Sequence, residues 1–336
     1  MKKFNLLLFC CLIFGALPAQ TLEEASKYFK FEGGVQKLDK KILKEPRATI
    51  VPYVAVRFNT GIMHRDAEGD KAFSKSRVDA YSWAYLDGLT DADYQEITDD
   101  FQTYLESKLA AAGFASVDRA VLEGNTTYKK EIEKLEEREM KFNDGSSYKI
   151  FTGQNRPYYK LGPAAAAKMA RNLKSNIAVF QVELNFADLG LNIEKSYSVS
   201  SWEDAAYTYK ERKLKYSAQS NIVPVLKIQM NEDVLRNMTK TEIFEDYLSV
   251  GGLLKRPILS NAEFVAEITK EDVADKEQST GSKLLRAINP DMTGIASTNT
   301  DSYTVKANPE QFKAASKELL RKYADYVVTV MSSYKK

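Results

Sequence analysis

The chain has 336 residues, 48 of them basic and 46 acidic, with one histidine and two cysteines. So even a balance excludes the basic face a nucleic-acid binder needs. A single histidine, His64, removes the commonest general base and metal ligand from almost the whole chain.

Lys2 and Lys3, the apolar run 4–17 and the small-residue exit Ala16-Leu17-Pro18-Ala19-Gln20 predict a secretory leader, residues 1–19, cut after Ala19. The run is shorter than the ~20 residues of a spanning helix. Cys10 and Cys11 lie inside it without the small residues of a lipoprotein box before them, so neither a retained membrane anchor nor a lipid anchor is expected. Loss of the leader takes Lys2, Lys3 and both cysteines, which levels the charges and excludes disulfides, thiolate metal sites and a cysteine nucleophile. Stability then rests on a core, which a chain of this length can bury. A bacterial chain so exported is expected in the periplasm or at the outer membrane.

Residues 20–47 are lysine-rich and read as a flexible lead-in with one short helix near 22–29. Residues 50–58 have the β-branched and aromatic content of a buried strand, with Pro52 marking its start or a bulge. The stretch 59–87 breaks up into glycines, charges and the isolated aromatics Phe73, Tyr81, Trp83 and Tyr85, which predicts a long excursion. A helix is then bounded by the capping pair Thr90 and Asp93 and by Gly113, with Tyr94, Ile97, Phe101, Tyr104 and Leu105 at helical spacing. Residues 117–119 read as a short strand, and 128–141 as a second helix closed by the turn residues Asn143-Asp144-Gly145.

Pro163 opens an alanine-rich helix to Leu173, and 176–184 is a strand. Residues 197–199, 207–216 and 222–230 are extended candidates. Residues 239–248 read as a helix, 264–269 as a strand and 275–299 as a polar loop. A last helix starts with Asn308, Pro309 and Gln311 and carries the face Phe312, Ala315, Leu319, Tyr323, Tyr326, Val327 and Val330. Neither an internal repeat nor a linker divides the chain. The expectation is a single α/β domain over 48–336, a mixed-sheet sandwich with helices packed on a central sheet and insertions at 59–89 and 194–220.

The strand Val54-Ala55-Val56-Arg57-Phe58, the helix ending Ala111-Ala112-Gly113-Phe114, and Val117-Asp118-Arg119 together resemble the CsgG-like superfamily of envelope proteins, involved in curli secretion and periplasmic assembly. The alanine-rich helix 166–173 running into 177–182 is similar to that family's helix and central strand. The resemblance covers about residues 48–230, and its motifs are hydrophobic rather than catalytic. It implies a non-enzymatic role as an assembly, secretion-accessory or scaffold component acting through protein contacts, with a protein partner or further copies of itself. It also implies an alternative, an outer-membrane secretion-pore subunit, whose hairpins would fall at 194–219. There the run from Tyr197 to Lys213 does not keep the apolar alternation of a barrel strand, so a soluble hairpin is expected.

Chemistry is sparse. His64 stands beside Asp66, Glu68 and Asp70, which suggests a loop calcium site. Lys71 stands where a calcium loop needs glycine and Arg77 where it needs glutamate, so a solvated charged loop is the better reading. Asp91, Asp93, Asp99 and Asp100 invite comparison with the carboxylate pair of a glycan hydrolase, the second alternative, but fit a helix start and its polar face better. Val250-Gly251-Gly252-Leu253 reads as a turn, not a phosphate loop. No catalytic, metal or cofactor residue is expected. The candidate partner-binding residues are Trp83, Tyr85, Trp202, Tyr207 and Tyr209, aromatics in loop-like stretches.

Overall fold

The computed structural model describes residues 21–33, 41–44, 48–69, 77–114, 117–204, 207–230, 239–246, 248–272 and 295–335. In chain order they form α1 (Leu22–Tyr28), β1 (Phe29–Gly33), α2 (Lys41–Lys44), β2 (Thr49–Ile50), β3 (Val54–Gly69), β4 (Arg77–Asp87) and α3 (Asp91–Ala111). Next come α4 (Arg119–Gly124), α5 (Thr126–Ile132), β5 (Glu139–Lys141), β6 (Ser147–Thr152), a 3-10 turn (Gly153–Asn155) and α6 (Pro163–Leu173). The rest is β7 (Asn176–Asp204), β8 (Tyr207–Ile228), β9 (Lys240–Glu245), β10 (Leu248–Leu254), β11 (Ile258–Leu259), β12 (Val265–Asp272), β13 (Ile295–Ala307) and α7 (Pro309–Ser332).

The centre is β3 against β7. Both carry apolar residues at successive positions, the pattern of strands buried on two faces. Val54, Val56 and Phe58 of β3 join Ala178, Phe180 and Val182 of β7 in a cluster with α3 and α7. Ala55, Ile177 and Val179 enter a second cluster, with Tyr128 of α5 and Met169 of α6. The two strands pair in parallel from Val54 opposite Phe180 to Phe58 opposite Leu184. The main path of the sheet runs β1-β10-β9-β7-β3-β4-β13-β12. β4 is parallel to β13, while β3–β4, β7–β8 and β12–β13 are antiparallel. The architecture is therefore the expected α/β one, a large mixed sheet with helices on it.

The helix ends follow their capping residues. The Thr90 hydroxyl accepts from the Asp93 amide, and the Asp93 carboxylate accepts from the Thr90 amide, which satisfies two orphan donors of α3. Gly113 follows with φ of 80°. Asn308 caps α7, whose predicted apolar face is buried throughout. α3 and α7 lie side by side. Glu96 there meets Lys313 and Lys317, Asp100 meets Arg321, and Asp325 meets Lys108.

Several expectations are corrected. Residues 21–33 carry α1 and the edge strand β1, with Phe29 and Phe31 buried. The excursion after Phe58 is a β3–β4 hairpin within the sheet: Ala80, Ser82 and Ala84 are buried on one side of β4, and Tyr81, Trp83 and Tyr85 alternate with them. Residues 117–119 form no strand, because Asp118 accepts from the Ala120 amide and starts α4. The helix expected over 128–141 stops at Ile132. Leu135 beyond it is 67% exposed, so no apolar face continues the helix, and β5 pairs with β6 instead.

Residues 239–248 are not helical. β9 and β10 form a hairpin turning at Asp246, and the stretch read as a turn, 250–253, lies inside β10. The expected polar loop 275–299 ends early, since β13 begins at Ile295; residues 275–294 lie outside the described residues. Finally, the three extended candidates 197–199, 207–216 and 222–230 are parts of one hairpin, 29-residue β7 against 22-residue β8.

Candidate interaction surfaces

The five aromatics singled out from the sequence fall into two groups, and none lies in an irregular loop. Trp202 on β7 stands opposite Tyr209 on β8, and the pairing of Asp204 with Tyr207 ends the hairpin. From Leu184, the last β7 residue beside β3, to Trp202 is about 60 Å of strand at the ordinary rise per residue. Trp83 and Tyr85 sit instead on β4, near the base of the other hairpin, where Trp83 is opposite Met63 and Tyr85 opposite Gly61.

The β7–β8 hairpin leaves the core as a second layer. Ala187 is buried and Leu189 and Ile222, opposite each other, pack on the edge of the main cluster. Asp188, Asn192, Glu194, Gln219 and Asn221 are exposed on its other side. A polar lock ties this layer to β12 and β13. The Tyr303 hydroxyl donates to the Ser220 carbonyl at 2.9 Å, the Ser220 hydroxyl donates to the buried Asp301 carboxylate, and Lys270 pairs with Asp301 at 3.0 Å.

The Trp83 group is held more tightly than the sequence suggests. Its indole N–H donates to the Asp144 carbonyl in the β5–β6 turn at 2.8 Å, which fixes the ring. Gly145 in that turn has φ of 89°, and a Cβ there would stand 3.0 Å from Trp83 Cδ1 and 3.1 Å from the Tyr85 hydroxyl. Only glycine lets the turn lie against both rings. Tyr81 lies 6.0 Å from Trp83 with the ring planes 14° apart, and the Arg65 guanidinium stands 5.7 Å from the Tyr81 ring while pairing with Asp79 at 3.2 Å. The hydrogen bond that Arg65 donates to Asp79 raises the Arg65 pKa, and burial, then Asp144, raises that of the Tyr85 phenol. Tyr81 was missed as a site residue; the signal was the period-two row Tyr81, Trp83, Tyr85.

The acids do not converge. Asp66 lies opposite Ala80, about 25 Å of strand beyond Phe58. Asp91 opens α3 and pairs at 2.8 Å with Lys149, which stands opposite Phe58. Asp93 belongs to the capping box, Asp99 accepts from Gln95 at 2.8 Å, and Asp100 pairs with Arg321. Asp70 lies outside the described residues. His64 is exposed on β3 opposite Ser82, and Glu68 opposite Val78. Among the described residues no three His, Cys, Asp or Glu side chains are grouped to hold a metal ion.

A buried polar cluster around Arg156 ties elements of the fold together. Arg156 donates to the Val51 carbonyl at 3.0 Å and to Gln154 at 2.7 Å, and lies 3.4 Å from Glu106; burial, then Arg119, lowers its pKa. Arg138 donates to the Arg156 carbonyl at 2.7 Å. Together they pin the 3-10 turn to the entry of β3, with Glu106 beside Arg156 and Asp99 accepting from the Gln154 amide. No helix among the described residues is long and apolar enough to cross a membrane, which says nothing about strands. No protein-family model matches the chain, nor does any curated protein or solved structure.

Proposed function

We propose that this is a non-catalytic, exported cell-envelope protein that acts through protein–protein contacts as an assembly, secretion-accessory or scaffold component. The observation that carries the reading is the β7–β8 hairpin. It continues a central core strand far past both hydrophobic clusters and ends in paired aromatic positions, Trp202 and Tyr209. A two-stranded ribbon is marginal alone in water, so an arm this long gains by lying against another surface. The resemblance to the CsgG-like superfamily supports the same role: β3, α3, α6, β7 and a terminal helix follow in its order, although residues 117–119, a strand in that resemblance, lead into α4 here. A photo-crosslinking residue at Tyr209 in the exported chain tests this. Capture of a discrete envelope protein or of a second copy is expected, and a signal no stronger than at the exposed Val223, near the hairpin's base, sinks the reading.

A second reading, an outer-membrane pore subunit, is favoured by one specific pattern. An apolar alternation begins upstream of Tyr197. Positions 187, 189, 191, 193, 197 and 199 are apolar, and those between are polar or glycine except for Lys195 in the apolar row. The register sets Leu189 opposite Ile222, Ile193 opposite Ala218 and Tyr197 opposite Leu214. Ala187 and Leu189 pack on the core, so the part left to meet lipid runs from 191 to 199 with Lys195 inside it, about the length of a barrel strand. Light scattering of residues 20–336 with and without lipid vesicles separates the two: a large ring that inserts supports the pore, and a small species that stays in solution supports the scaffold.

A further inference from the structure

We propose that the outer face of β4 and its neighbours β13 and β12 is a glycan-binding surface, separate from the β7–β8 arm. Three observations on this face converge. The first is the aromatic row Tyr81, Trp83 and Tyr85, whose ends are about 13 Å apart along the strand, the reach of a short oligosaccharide. The second is pre-organisation: the Asp144 carbonyl fixes the indole, and Gly145 seats the turn against Trp83 and Tyr85. A rigid aromatic loses little conformational freedom when a ligand covers it.

The third is what stands beside the row. The register places Ser302 next to Trp83 and Thr304 next to Tyr85, and on the following strand Glu271 opposite Ser302 and Thr269 opposite Thr304. Aromatic rings on one strand thus adjoin a rank of hydroxyls and a carboxylate on the next two. A sugar ring has matching halves, a C–H face that packs on aromatic carbon and a rim of hydroxyls that donate to oxygen acceptors.

The same geometry disfavours an extended peptide. β4 is paired on both sides, to β3 and to β13, so its backbone donors and acceptors are used within the sheet and strand addition is closed. The face offers rings and side-chain oxygens, the chemistry of carbohydrate recognition.

Trp83 and Trp202 are the two tryptophans, so W202F leaves Trp83 as the sole indole reporter. Residues 20–336 carrying W202F are titrated with chitohexaose, cellohexaose, xylohexaose and laminarihexaose, following tryptophan emission and, in parallel, heat of binding. The expected result is a saturable change with at least one of them. Tyr85→Ala and Thr304→Ala should each weaken it roughly tenfold while the circular dichroism and thermal midpoint stay near the parent's. No saturable response to any of the four at millimolar concentration overturns the proposal, as does a response that both substitutions leave intact. Saturable binding of a proline-rich peptide that the sugars fail to displace also overturns it, in favour of a peptide site.

Discussion

Gly252 of β10 lies against the ring of Phe29 of β1: a Cβ on Gly252 would stand 2.3 Å from Phe29 Cζ and 3.0 Å from Thr241 Cβ. The ring is 1% exposed and meets Tyr323 of α7 edge-on at 6.0 Å, so it has nowhere to retreat. Gly252→Ala is therefore expected to destabilise the fold by about 1–3 kcal/mol, the cost of overpacking a filled core. Gly251→Ala, whose Cβ would meet only the Glu32 carbonyl at 4.0 Å, should cost far less. Urea midpoints of the two variants check this, and equal losses would contradict it.

The charge ladder between α3 and α7 predicts an acid limb. Hydrogen bonds from Thr90, and then Lys313, hold Asp93 below the usual carboxylate range, and Lys317, then Lys313, hold Glu96 below it. A carboxylate depressed by folding adds stability that is complete above its unfolded value, about 3.9 for Asp and 4.3 for Glu. That stability is lost as pH falls through the folded value. A Lys313→Met/Lys317→Met variant should thus have a lower urea midpoint than the parent at neutral pH and converge with it as the pH falls through the depressed range of these carboxylates. A gap that persists unchanged in acid would mean the two lysines act through packing of their stems.

The lock between the two β layers predicts local rather than global loosening. Asp301→Ala removes the acceptor of the Ser220 hydroxyl and the carboxylate that pairs with the half-exposed Lys270. Tyr303→Phe removes the donor to the Ser220 carbonyl. Each should cost about 1–3 kcal/mol, read as faster amide hydrogen exchange in β8 around Ser220 with α7 unchanged. Equal acceleration in α7 would show that the layers unfold as one unit.

The register of the long hairpin is open to a covalent test, because the chain after residue 19 has no cysteine. Facing residues of an antiparallel pair have Cα atoms about 4.5–5.5 Å apart, within disulfide reach. Trp202→Cys with Tyr209→Cys should oxidise within one chain, and Trp202→Cys with Tyr207→Cys should do so poorly. Mass spectrometry of proteolytic fragments reads the outcome, and preferential formation of the second pair would displace the register.

Much of the helical layer was legible because its signals are local. Thr90 with Asp93 and Asn308 with Gln311 satisfy orphan backbone groups within one turn, and Pro163 lacks the amide that would be one, so sequence spacing alone locates them. Strands depend on partners distant in the chain. β9 was misread as helix because Ile243 and Phe244 bury themselves on opposite faces of a strand, while Gly252, which sequence treats as a breaker, is needed for Phe29 to approach. β7 was divided because its apolar row is interrupted at Lys195, which separates the two halves of its pattern. The aromatic site was half visible: Trp83 and Tyr85 were found as types, but the turn that fixes them comes from the β5–β6 hairpin, Asp144 lying far along the chain.

β7 belongs to the core and to the arm at once, since the strand that lies between β3 and β9 is the strand that ends beside Trp202. Its pairing with β8 is broken once, between Asn185 and Ala187. A load applied to the arm's end is therefore carried by covalent backbone and a continuous ladder to that irregularity, which acts as a fulcrum, and beyond it into the strand flanked by both hydrophobic clusters. The fold is a lever whose short end is its own centre.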